Sequence, residues 1–573
     1  MVANLKIGIE IHQQLDTEKK LFCNCSVNSR DNTHVFAFMR KLRPVTSETG
    51  EVDKAAMQEF LKEKEFIYLH YANCCSIETD SDFPREINME ALKISLQLAK
   101  MLKMQIPDKL CIMRKIVVDG SNTTGYQRTM LVGLGTEESY IETSFGKVHI
   151  QELNLEEESA TKVKEENNKI YYRLDRLGIP LIEISSKPEI YHPEQAKEFA
   201  EKLGLLLRSL KVRRGIGTIR QDINISIKGG ARIEIKGFQD LKSIDKLIEN
   251  EIKRQEDLIR IKNKLKNFEF KISKKDLTEI FENTKFRLFK DKKVFGLKVE
   301  NFGGFFRERC GEITLGKEIS NYVKIFGIGG IIHSDEDLNK YKIEEVDEIK
   351  KRLKFRKNDL FILVSGDKSE EAITLIEKRI KYLKRGVPEE TRFADGLLTR
   401  YARELPGAAR MYPETDLPYV DVIKNIEIPE TLDEKKERFI KLGLNKNLAE
   451  QIVKSRELNL FEDLLKYQVY VKIIADLILN KKKYLERKGI KVKKEDLEFV
   501  LDQLEKRKIV PKAIEDVLIN KSIKGFERIS GEELKKIVHE FKRKYKKEAI
   551  REIMKLYGKR VDSEEVLSLL NET

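Results

Sequence analysis

Carboxylate and imidazole side chains recur along one face of several predicted β-strands. In the segment IGIEIHQQL, Glu10 and His12 alternate with apolar isoleucines, which is the two-residue period of a strand. The segments PLIEIS, IRQDINIS and ARIEIKG repeat this alternation with Glu183, Asp222 and Glu234. A sheet with one solvated face also alternates, but it would carry a mixture of Lys, Thr and Glu there. These strands instead favour good oxygen and nitrogen ligands.

The four carboxylates and the imidazole can meet on one concave face if these strands pair. Like charges packed that closely repel each other unless a cation neutralises them. Carboxylate oxygens are hard ligands and favour Mg²⁺ over softer ions. The pattern therefore predicts a magnesium site, and the alternative is an ordinary sheet whose polar face contacts water. The acidic run at 156–158 is likewise either a solvated turn or a further part of this site.

Basic residues accompany the acids. Arg114 and Lys115 occur in MRKIVVDGSNTTGYQRT, and Lys236 follows the acid of ARIEIKG. Acid clusters that hold Mg²⁺ beside Lys and Arg suit phosphoryl transfer, because charge on the moving phosphoryl group must be neutralised. The chain has no G-x-x-x-x-G-K-[ST] motif, so nucleotide binding by a P-loop is excluded.

The cysteines raise a second question about metal binding. Cys23 and Cys25 in LFCNCS, with the adjacent pair Cys74 and Cys75, supply enough thiols for a zinc site. Adjacent cysteines chelate one ion awkwardly and C-x-x-C spacing is absent, so zinc is not expected. No cysteine or Ser–Lys pair has the pattern of a glutaminase nucleophile. We therefore expect that this chain does not itself release ammonia from glutamine.

Composition places the chain among large globular proteins with a basic C-terminal part. It has 573 residues, a net charge of +14 and 40% hydrophobic residues. No run of 18 apolar residues occurs, so we expect no membrane span and a cytoplasmic location. Residues 481–573 contain 26 Lys and Arg against 18 Asp and Glu. Nine cations in 541–560 form either a solvated helical face or a grip on a phosphate backbone.

The pattern of predicted elements indicates a multidomain α+β protein. Mixed strands and helices fill the N-terminal half, and a helical stripe runs from Asn88 to about Met104. Residues 386–420 are expected to form Pro- and Gly-rich loops, and only short helices follow residue 428. The predicted segments are 1–274, with mixed strands and helices; 275–385, an α+β insertion; 386–427, which is rich in loops; 428–505, a helical domain; and 506–573, a basic tail domain.

Five motifs, in order, resemble a known family. They are IGIEIHQQLDTEKKLFCNCS, MRKIVVDGSNTTGYQRT, YRLDRLGIPLIEISSKPEI, RRGIGTIRQDINISI and ARIEIKGFQDL. They closely resemble the archaeal GatE members of the GatB/GatE family of Glu-tRNA(Gln) amidotransferases, over essentially the whole chain. The resemblance implies that 1–274 and 386–427 together form a cradle-like mixed β-sheet catalytic domain. It also implies that 275–385 is an insertion similar to that of bacterial-type aspartyl-tRNA synthetases and that 506–573 is a tail that binds tRNA. The competing interpretation is a non-catalytic tRNA-binding adaptor.

The resemblance also implies a reaction and its partners. The family uses ATP and Mg²⁺ to phosphorylate the γ-carboxylate of glutamate on misacylated tRNA(Gln), and ammonia then displaces phosphate. An asparaginase-like partner protein supplies the ammonia, and we expect a heterotetramer with two copies of each protein. The implied residues follow. Catalytic residues are Glu10, His12, Glu157, Glu183, Asp222 and Glu234; magnesium ligands are Glu10, His12, Glu157, Asp222 and Glu234; and ATP-binding residues are Arg114, Lys115 and Lys236.

Two departures from the family pattern concern metal binding. The family's L-E-E-D-A segment reads LEEES here, with Glu158 in place of Asp and Ser159 in place of Ala. The longer acid reaches one methylene further, which puts metal coordination at that corner in doubt. The Cys74–Cys75 pair departs from the zinc-type pattern of some bacterial relatives, which weakens the case for zinc.

Overall fold

The computed structural model describes residues 4–28, 32–46, 50–166, 168–405 and 410–572. The chain forms two compact units, Met1–Pro429 and Glu430–Thr573. In the described residues, the first unit combines a large mixed sheet with helices, and the second contains helices without strands. The expected α+β class with a mixed sheet is confirmed at this level.

The first unit contains all the strands of the described chain. In order they are β1 (Lys6–Gln14), β2 (Phe36–Arg40), β3 (Glu65–His70), β4 (Lys109–Leu110), β5 (Ile112–Ile116), β6 (Tyr126–Leu134), β7 (Tyr140–Thr143), β8 (Gly146–Glu157), β9 (Thr161–Glu166), β10 (Lys169–Arg173), β11 (Pro180–Ser186), β12 (Ile219–Ser226), β13 (Ile233–Phe238), β14 (Ile272–Asp276), β15 (Val294–Val299), β16 (Arg309–Cys310), β17 (Ile313–Thr314), β18 (Ile332–His333), β19 (Leu360–Ser365), β20 (Glu390–Asp395), β21 (Leu398–Glu404), β22 (Met411–Pro413) and β23 (Val420–Asp421).

The α-helices are numbered in the same way, and the described residues form seven in the first unit and ten in the second. They are α1 (Lys54–Phe60), α2 (Met89–Met101), α3 (Pro193–Leu207), α4 (Ile244–Leu265), α5 (Leu315–Tyr322), α6 (Val346–Arg352), α7 (Ser369–Tyr382), α8 (Leu432–Lys441), α9 (Lys446–Lys454), α10 (Leu458–Leu464), α11 (Val471–Asp476), α12 (Lys483–Arg487), α13 (Lys494–Glu505), α14 (Ile514–Asn520), α15 (Gly531–Tyr545), α16 (Ala549–Tyr557) and α17 (Ser563–Glu572).

The main sheet has the strand order β21-β20-β13-β12-β1-β11-β8-β6-β5-β22, with β7 attached to β8. Strand β1 lies in the middle and pairs antiparallel with β11 and β12. Its isoleucines Ile7, Ile9 and Ile11 are buried in the largest hydrophobic core together with the apolar faces of α2, α3 and α4. Because side chains alternate along a strand, Glu10 and His12 point to the other face of the sheet.

The helices that cover this core begin where local sequence dictates. Helix α2 begins after Asn88, whose side chain accepts hydrogen bonds from two backbone N–H groups of the first turn, as an N-cap residue should. Its buried face contains Ala91, Leu92 and Leu98, which belong to the stripe that predicts the helix. Helix α3 begins at Pro193, whose fixed φ suits the first helical position.

The prediction of loops at 386–420 was wrong. Strands β20 and β21 occupy this segment and form an antiparallel hairpin, and β20 pairs in parallel with β13. The turn contains Asp395 and Gly396, and Gly396 has a φ of +63°. An Asp-Gly pair between alternating residues is a strong hairpin signal, so the information was present in the sequence. The Pro- and Gly-rich flanks obscured it.

A second sheet, in the order β14-β15-β19-β18, lies within residues 272–365 with α7 packed against it. Buried ion pairs connect this region to the main sheet. Arg392 on β20 pairs with Glu318 on α5 at 2.9 Å and with Glu390 at 2.9 Å. Glu318 also pairs with Arg254 on α4 at 2.9 Å. A third sheet of four strands, β2-β3-β10-β9, completes the larger sheets of the first unit.

The second unit contains two hydrophobic clusters. One is built by residues between Leu432 and Leu518, and the other by residues between Ile529 and Val566. Helix α8 begins with a complete capping box of Thr431 and Glu434. Across the described residues of both units, every helix is too short or too polar to cross a membrane.

Candidate active site

The polar face of β1 is the centre of the site. In the strand register, Glu10 lies opposite Asp222 on β12, and His12 lies opposite Glu183 on β11. Directly opposed residues point to the same face of a sheet, so these four side chains lie side by side. His12, Glu183 and Asp222 are buried. Strands far apart in sequence thus converge as the motif pattern predicts.

Glu10, His12 and Glu183 form a tight group. The Nε2 atom of His12 lies 3.1 Å from Oε2 of Glu183 and 3.2 Å from Oε1 of Glu10. Each residue offers one possible ligand atom, and these atoms all lie within 4.8 Å of one another. Atom Nδ1 of His12 is buried and has no hydrogen-bond partner among the described residues. This donor set of two carboxylates and one imidazole fits a divalent cation.

The electrostatics of the group show how closely its charges are packed. Burial and the negative charge of Glu183 raise the pKa of Glu10 to about 8. Burial lowers the pKa of His12, but its hydrogen bond to Glu183 and the charge of Glu10 raise it above the ordinary value. Both shifts increase proton binding, which is the response of a crowded anionic site to a missing positive charge.

Two lysines supply part of that positive charge. The Nζ atom of Lys115 lies 2.9 Å from Glu156 and 3.1 Å from Glu183. The Nζ atom of Lys236 lies 3.0 Å from Asp222 and 2.9 Å from Glu234. Both predicted ATP-binding lysines therefore lie in the site, where they pair with its acids.

Asp222 and Glu234 belong to the site but not to the group of three. Asp222 accepts a hydrogen bond from the backbone N–H of Gly237 at 2.8 Å, and Glu234 accepts one from Thr391 at 2.7 Å. Burial raises the pKa of each carboxyl, but Lys236 and the hydrogen bonds that each carboxylate accepts together lower both pKa values to below normal. Asp222 lies on β12, the strand next to β1, and Glu234 lies on β13, one strand further. Both acids pair with Lys236.

Comparison with known proteins assigns the chain to a family. A model described as the GatB/GatE catalytic domain matches residues 5–427, which include every residue of the site. The chain belongs to the GatB/GatE family.

The sequence similarity to individual relatives extends over most of their length. The chain is 43% identical to the E subunit of the Glutamyl-tRNA(Gln) amidotransferase of Archaeoglobus fulgidus over 531 residues, 90% of this chain and 86% of the relative. It is 42% identical to the corresponding protein of Sulfolobus acidocaldarius over 576 residues, 93% and 90% of the two chains. The corresponding protein of Methanocaldococcus jannaschii is 43% identical over 576 residues, 93% and 91%.

In this GatB/GatE chain, Glu157 lies apart from the central group. Asn154 on β8 is opposite Glu183 and donates to it at 3.2 Å, so Asn154 and Glu156 point into the site. Glu157 is one residue further and points to the opposite face of the sheet. There it accepts a hydrogen bond from the backbone N–H of Arg128 at 3.1 Å, and the guanidinium of Arg128 lies 3.4 Å away. The structure therefore does not bring Glu157 to the group.

Arg114 is also held away from the site. It alternates with Lys115 on β5 and points to the opposite face, where its Nε donates to Glu414 at 2.9 Å. It also pairs with Asp416 at 2.8 Å and lies over the ring of Tyr126 at 4.6 Å. The structure thus places Lys115 and Lys236 among the acids, and Arg114 outside them.

Two further acids organise these surroundings. Glu156, from the acidic run that the sequence offers as either a solvated turn or a part of the site, pairs with Lys115 inside the site. Sequence reasoning missed the second acid, Glu414. Glu414 has a fully buried side chain that pairs with Arg114 and, at 2.7 Å, with Arg128. The signal for Glu414 was its position in MYPETDLP, between two prolines that favour a rigid loop. Glu158, whose role as a ligand was in doubt, accepts hydrogen bonds from Gln14 at 2.8 Å and Arg220 at 2.9 Å.

A second metal-capable group involves the cysteines. Cys23, Cys25, Cys75 and Glu78 offer ligand atoms that all lie within 4.8 Å of one another. Cys74 is outside this group, so the objection that adjacent cysteines chelate poorly does not apply. Three thiols and one carboxylate are a donor set that suits Zn²⁺. The argument from spacing against zinc therefore fails in the folded chain.

Proposed function

We propose that this chain is the transamidating component of a Glu-tRNA(Gln) amidotransferase. It would convert glutamate esterified to tRNA(Gln) into glutamine. The γ-carboxylate of the glutamate attacks the γ-phosphorus of ATP, which forms an acyl phosphate and releases ADP. Ammonia then attacks the acyl carbon and displaces inorganic phosphate. The group of Glu10, His12 and Glu183 between two lysines is the observation that carries this proposal.

The central group is the proposed magnesium site. Glu10, His12 and Glu183 would hold the ion, with Asp222 opposite Glu10 on the neighbouring strand and Glu234 one strand further away. A bound Mg²⁺ would neutralise charge on the transferred phosphoryl group. The unpaired Nδ1 of His12 and the raised pKa of Glu10 support a site built for a cation. Glu157 is left out of this ligand set because it points to the opposite face.

Lys115 and Lys236 are the proposed phosphate contacts on the protein. Each ammonium group has three donors and can exchange partners without a fixed geometry. When a cation neutralises the acids, Lys115 and Lys236 lose part of their attraction to those acids. Their Nζ atoms are then free to contact phosphate oxygens. This exchange would couple ATP binding to metal binding.

Ammonia has to reach the acyl phosphate unprotonated, which requires a path protected from bulk water. We propose that an asparaginase-like partner protein generates it from glutamine, in a heterotetramer with two copies of each protein. Support comes from the lack of a glutaminase nucleophile pattern in the sequence.

The domain roles follow the same proposal. Residues 1–274 and 386–427 form the catalytic cradle, and 275–385 form the insertion similar to aspartyl-tRNA synthetases. Residues 428–505 form a helical domain, and the basic segment 506–573 binds the tRNA phosphate backbone. Deleting residues after 526, which leaves the hydrophobic cluster between Leu432 and Leu518 intact, should weaken tRNA affinity and flatten its salt dependence.

The direct test is ATP cleavage by the complex with its ammonia-supplying partner. We expect ADP to form with Glu-tRNA(Gln) but not with uncharged tRNA(Gln). His12→Ala and Asp222→Ala should abolish ADP formation and leave tRNA binding nearly unchanged. If tRNA binds tightly but no ADP forms with either tRNA, the adaptor interpretation is favoured instead.

A further inference from the structure

The two edges of the main sheet are joined by a very short connection. Strand β21 lies at one end of the strand order and β22 at the other, yet only residues 405–410 separate them along the chain. Seven Cα steps span at most about 25 Å. The sheet must therefore curl until its edges approach each other. Helix α1 contacts both edges, because Gln58 bonds Tyr401 on β21 at 3.2 Å and Ala56 packs against Ile116 on β5.

An arginine lies at each of these edges. Arg403 on β21 is opposite Thr391, which is opposite Glu234, so Arg403 points to the same face as Glu234. Arg410 precedes β22, and its backbone carbonyl accepts a hydrogen bond from Ile116 at 2.8 Å. Ile116 is the residue next to Lys115. Both arginines are half-buried.

Neither Arg403 nor Arg410 forms an ion pair with another described residue. Arg114, Arg128 and Arg220 each pair with at least one buried carboxylate. The side chain of Arg410 donates from Nε to the carbonyl oxygen of Ile116 at 3.3 Å. These two guanidinium groups thus keep most of their donors available for a ligand.

The charges of the two arginines act on each other and on the site. Burial lowers the pKa of Arg410, and the positive charge of Arg403 lowers it further against the opposing charges of Glu234, Asp53 and Asp119. The charge of Arg403 also acts on Lys236, and that of Arg410 on Lys115. Because the two guanidinium groups repel each other, an anion bound between them would be stabilised.

We propose that Arg403 and Arg410 bind the phosphates of the nucleoside triphosphate. This inference rests on the proposed function. A guanidinium group binds phosphate oxygens through two parallel N–H donors. Arg403 points to the face that contains Glu234, and Arg410 is bonded to β5, the strand that contains Lys115. They take the role that sequence reasoning assigned to Arg114, whose donors are occupied by Glu414 and Asp416. A phosphate of the RNA is the competing ligand of the same chemistry.

Steady-state kinetics of the full complex separates these ligands. In Arg403→Gln and Arg410→Gln, we expect the KM for ATP to rise at least ~10-fold at saturating Glu-tRNA(Gln). The affinity for tRNA should stay within about twofold. Arg403→Lys and Arg410→Lys should give smaller increases, because the charge remains but the two-donor geometry is lost. Arg385→Gln, an exposed arginine beyond α7, is the matched control and should leave both constants unchanged.

Two outcomes would overturn the inference. One is an unchanged KM for ATP in both glutamine variants and both lysine variants. The other is a loss of tRNA affinity with no change in the KM for ATP, which would assign the arginines to the RNA. If the unmodified complex itself forms no ADP with Glu-tRNA(Gln), the proposed function fails rather than this assignment. Equilibrium binding of a non-hydrolysable ATP analogue to the complex then still tests the arginines directly.

Discussion

The acids in and around the site fall into two sets that differ in their partners. Glu156, Glu183, Asp222 and Glu234 are held by Lys115 or Lys236. Glu157, Glu158 and Glu414 are held by arginines. The cysteine group follows the first pattern, because its Glu78 pairs with the buried Lys20 at 2.8 Å.

The difference follows the chemistry of the two cations. An arginine fork fixes a carboxylate in a defined geometry, whereas a lysine is a compact charge that changes partners easily. Each of the two metal-capable groups among the described residues contains an acid held by lysine, namely Glu183 and Glu78. None of the three acids held by arginine belongs to either group. In both groups, therefore, an acid that could bind a metal ion is paired with a lysine and not with an arginine.

The largest effect is expected from the centre of the lysine-held set. Glu183→Gln removes a charge that contacts His12 and Lys115, so tRNA-dependent ADP formation should fall about 10³-fold or more. Glu142→Gln, an exposed acid on β7, is the control and should retain full activity. A Glu183→Gln protein with more than a tenth of normal activity would contradict the assignment.

Substitutions of the acids held by arginine should change the stability of the protein rather than its activity. Glu414→Gln leaves the buried guanidinium group of Arg128 and the half-buried one of Arg114 short of a partner, which should lower the free energy of unfolding by about 3 kcal/mol. Asp416→Asn removes a partly exposed partner of Arg114 and should cost less than ~1 kcal/mol. Chemical denaturation of the unmodified protein, Glu414→Gln and Asp416→Asn measures the loss of unfolding free energy in each variant. Equal costs would show that burial of Glu414 is not the cause.

The group of Cys23, Cys25, Cys75 and Glu78 extends the comparison to zinc, a softer ion than magnesium. We expect about one zinc per chain by elemental analysis of protein purified without chelator. Cys75→Ser should weaken zinc binding at least ~100-fold, because one of four ligands loses its thiolate. Cys74→Ser changes the neighbouring thiol outside the group and should retain the ion. Zinc-free native protein would remove this group from the comparison.

The arginine-held set also predicts a pH dependence. Burial raises the pKa of Glu414, but the hydrogen bonds from Arg114 and from the backbone of Asp416 lower it more, to below the ordinary 4.5. A lowered carboxyl pKa stabilises the fold above pH 4.5, and this contribution is lost as the pH falls through the folded-state value. In Glu414→Gln the unfolding free energy should therefore fall less steeply below pH 4.5. The prediction is wrong if the unfolding free energies of the unmodified protein and of Glu414→Gln, measured by denaturation from pH 3.5 to 7, change with pH at the same slope.

The smallest effect is expected from Glu157→Gln. This acid lies on the opposite face from His12, so ADP formation per folded molecule should change less than ~10-fold. A loss as large as that of Glu183→Gln would place Glu157 among the residues that act on the reaction.

Several features could be predicted from the sequence because they depend on neighbours along the chain. Alternation in IGIEIHQQL places Glu10 and His12 on one face, and the stripe after Asn88 defines α2. The Asp395–Gly396 pair is also a local signal for a hairpin, although this segment was predicted to form loops. The family motifs indicated that Glu183, Asp222 and Glu234, on three other strands, belong to the same site. In each case the information lies within a few residues.

Tertiary structure alone decided which acids meet and what neutralises them. His12 and Glu183 are 171 residues apart, and only strand register brings them within 3.1 Å. A shift of one residue exchanges the faces of a strand, which is why Glu156 lies in the site and Glu157 outside it. The sequence by itself determined the types and faces of the reactive side chains. Packing chose their partners, because ion pairs between distant segments form only after the sheet has closed around them.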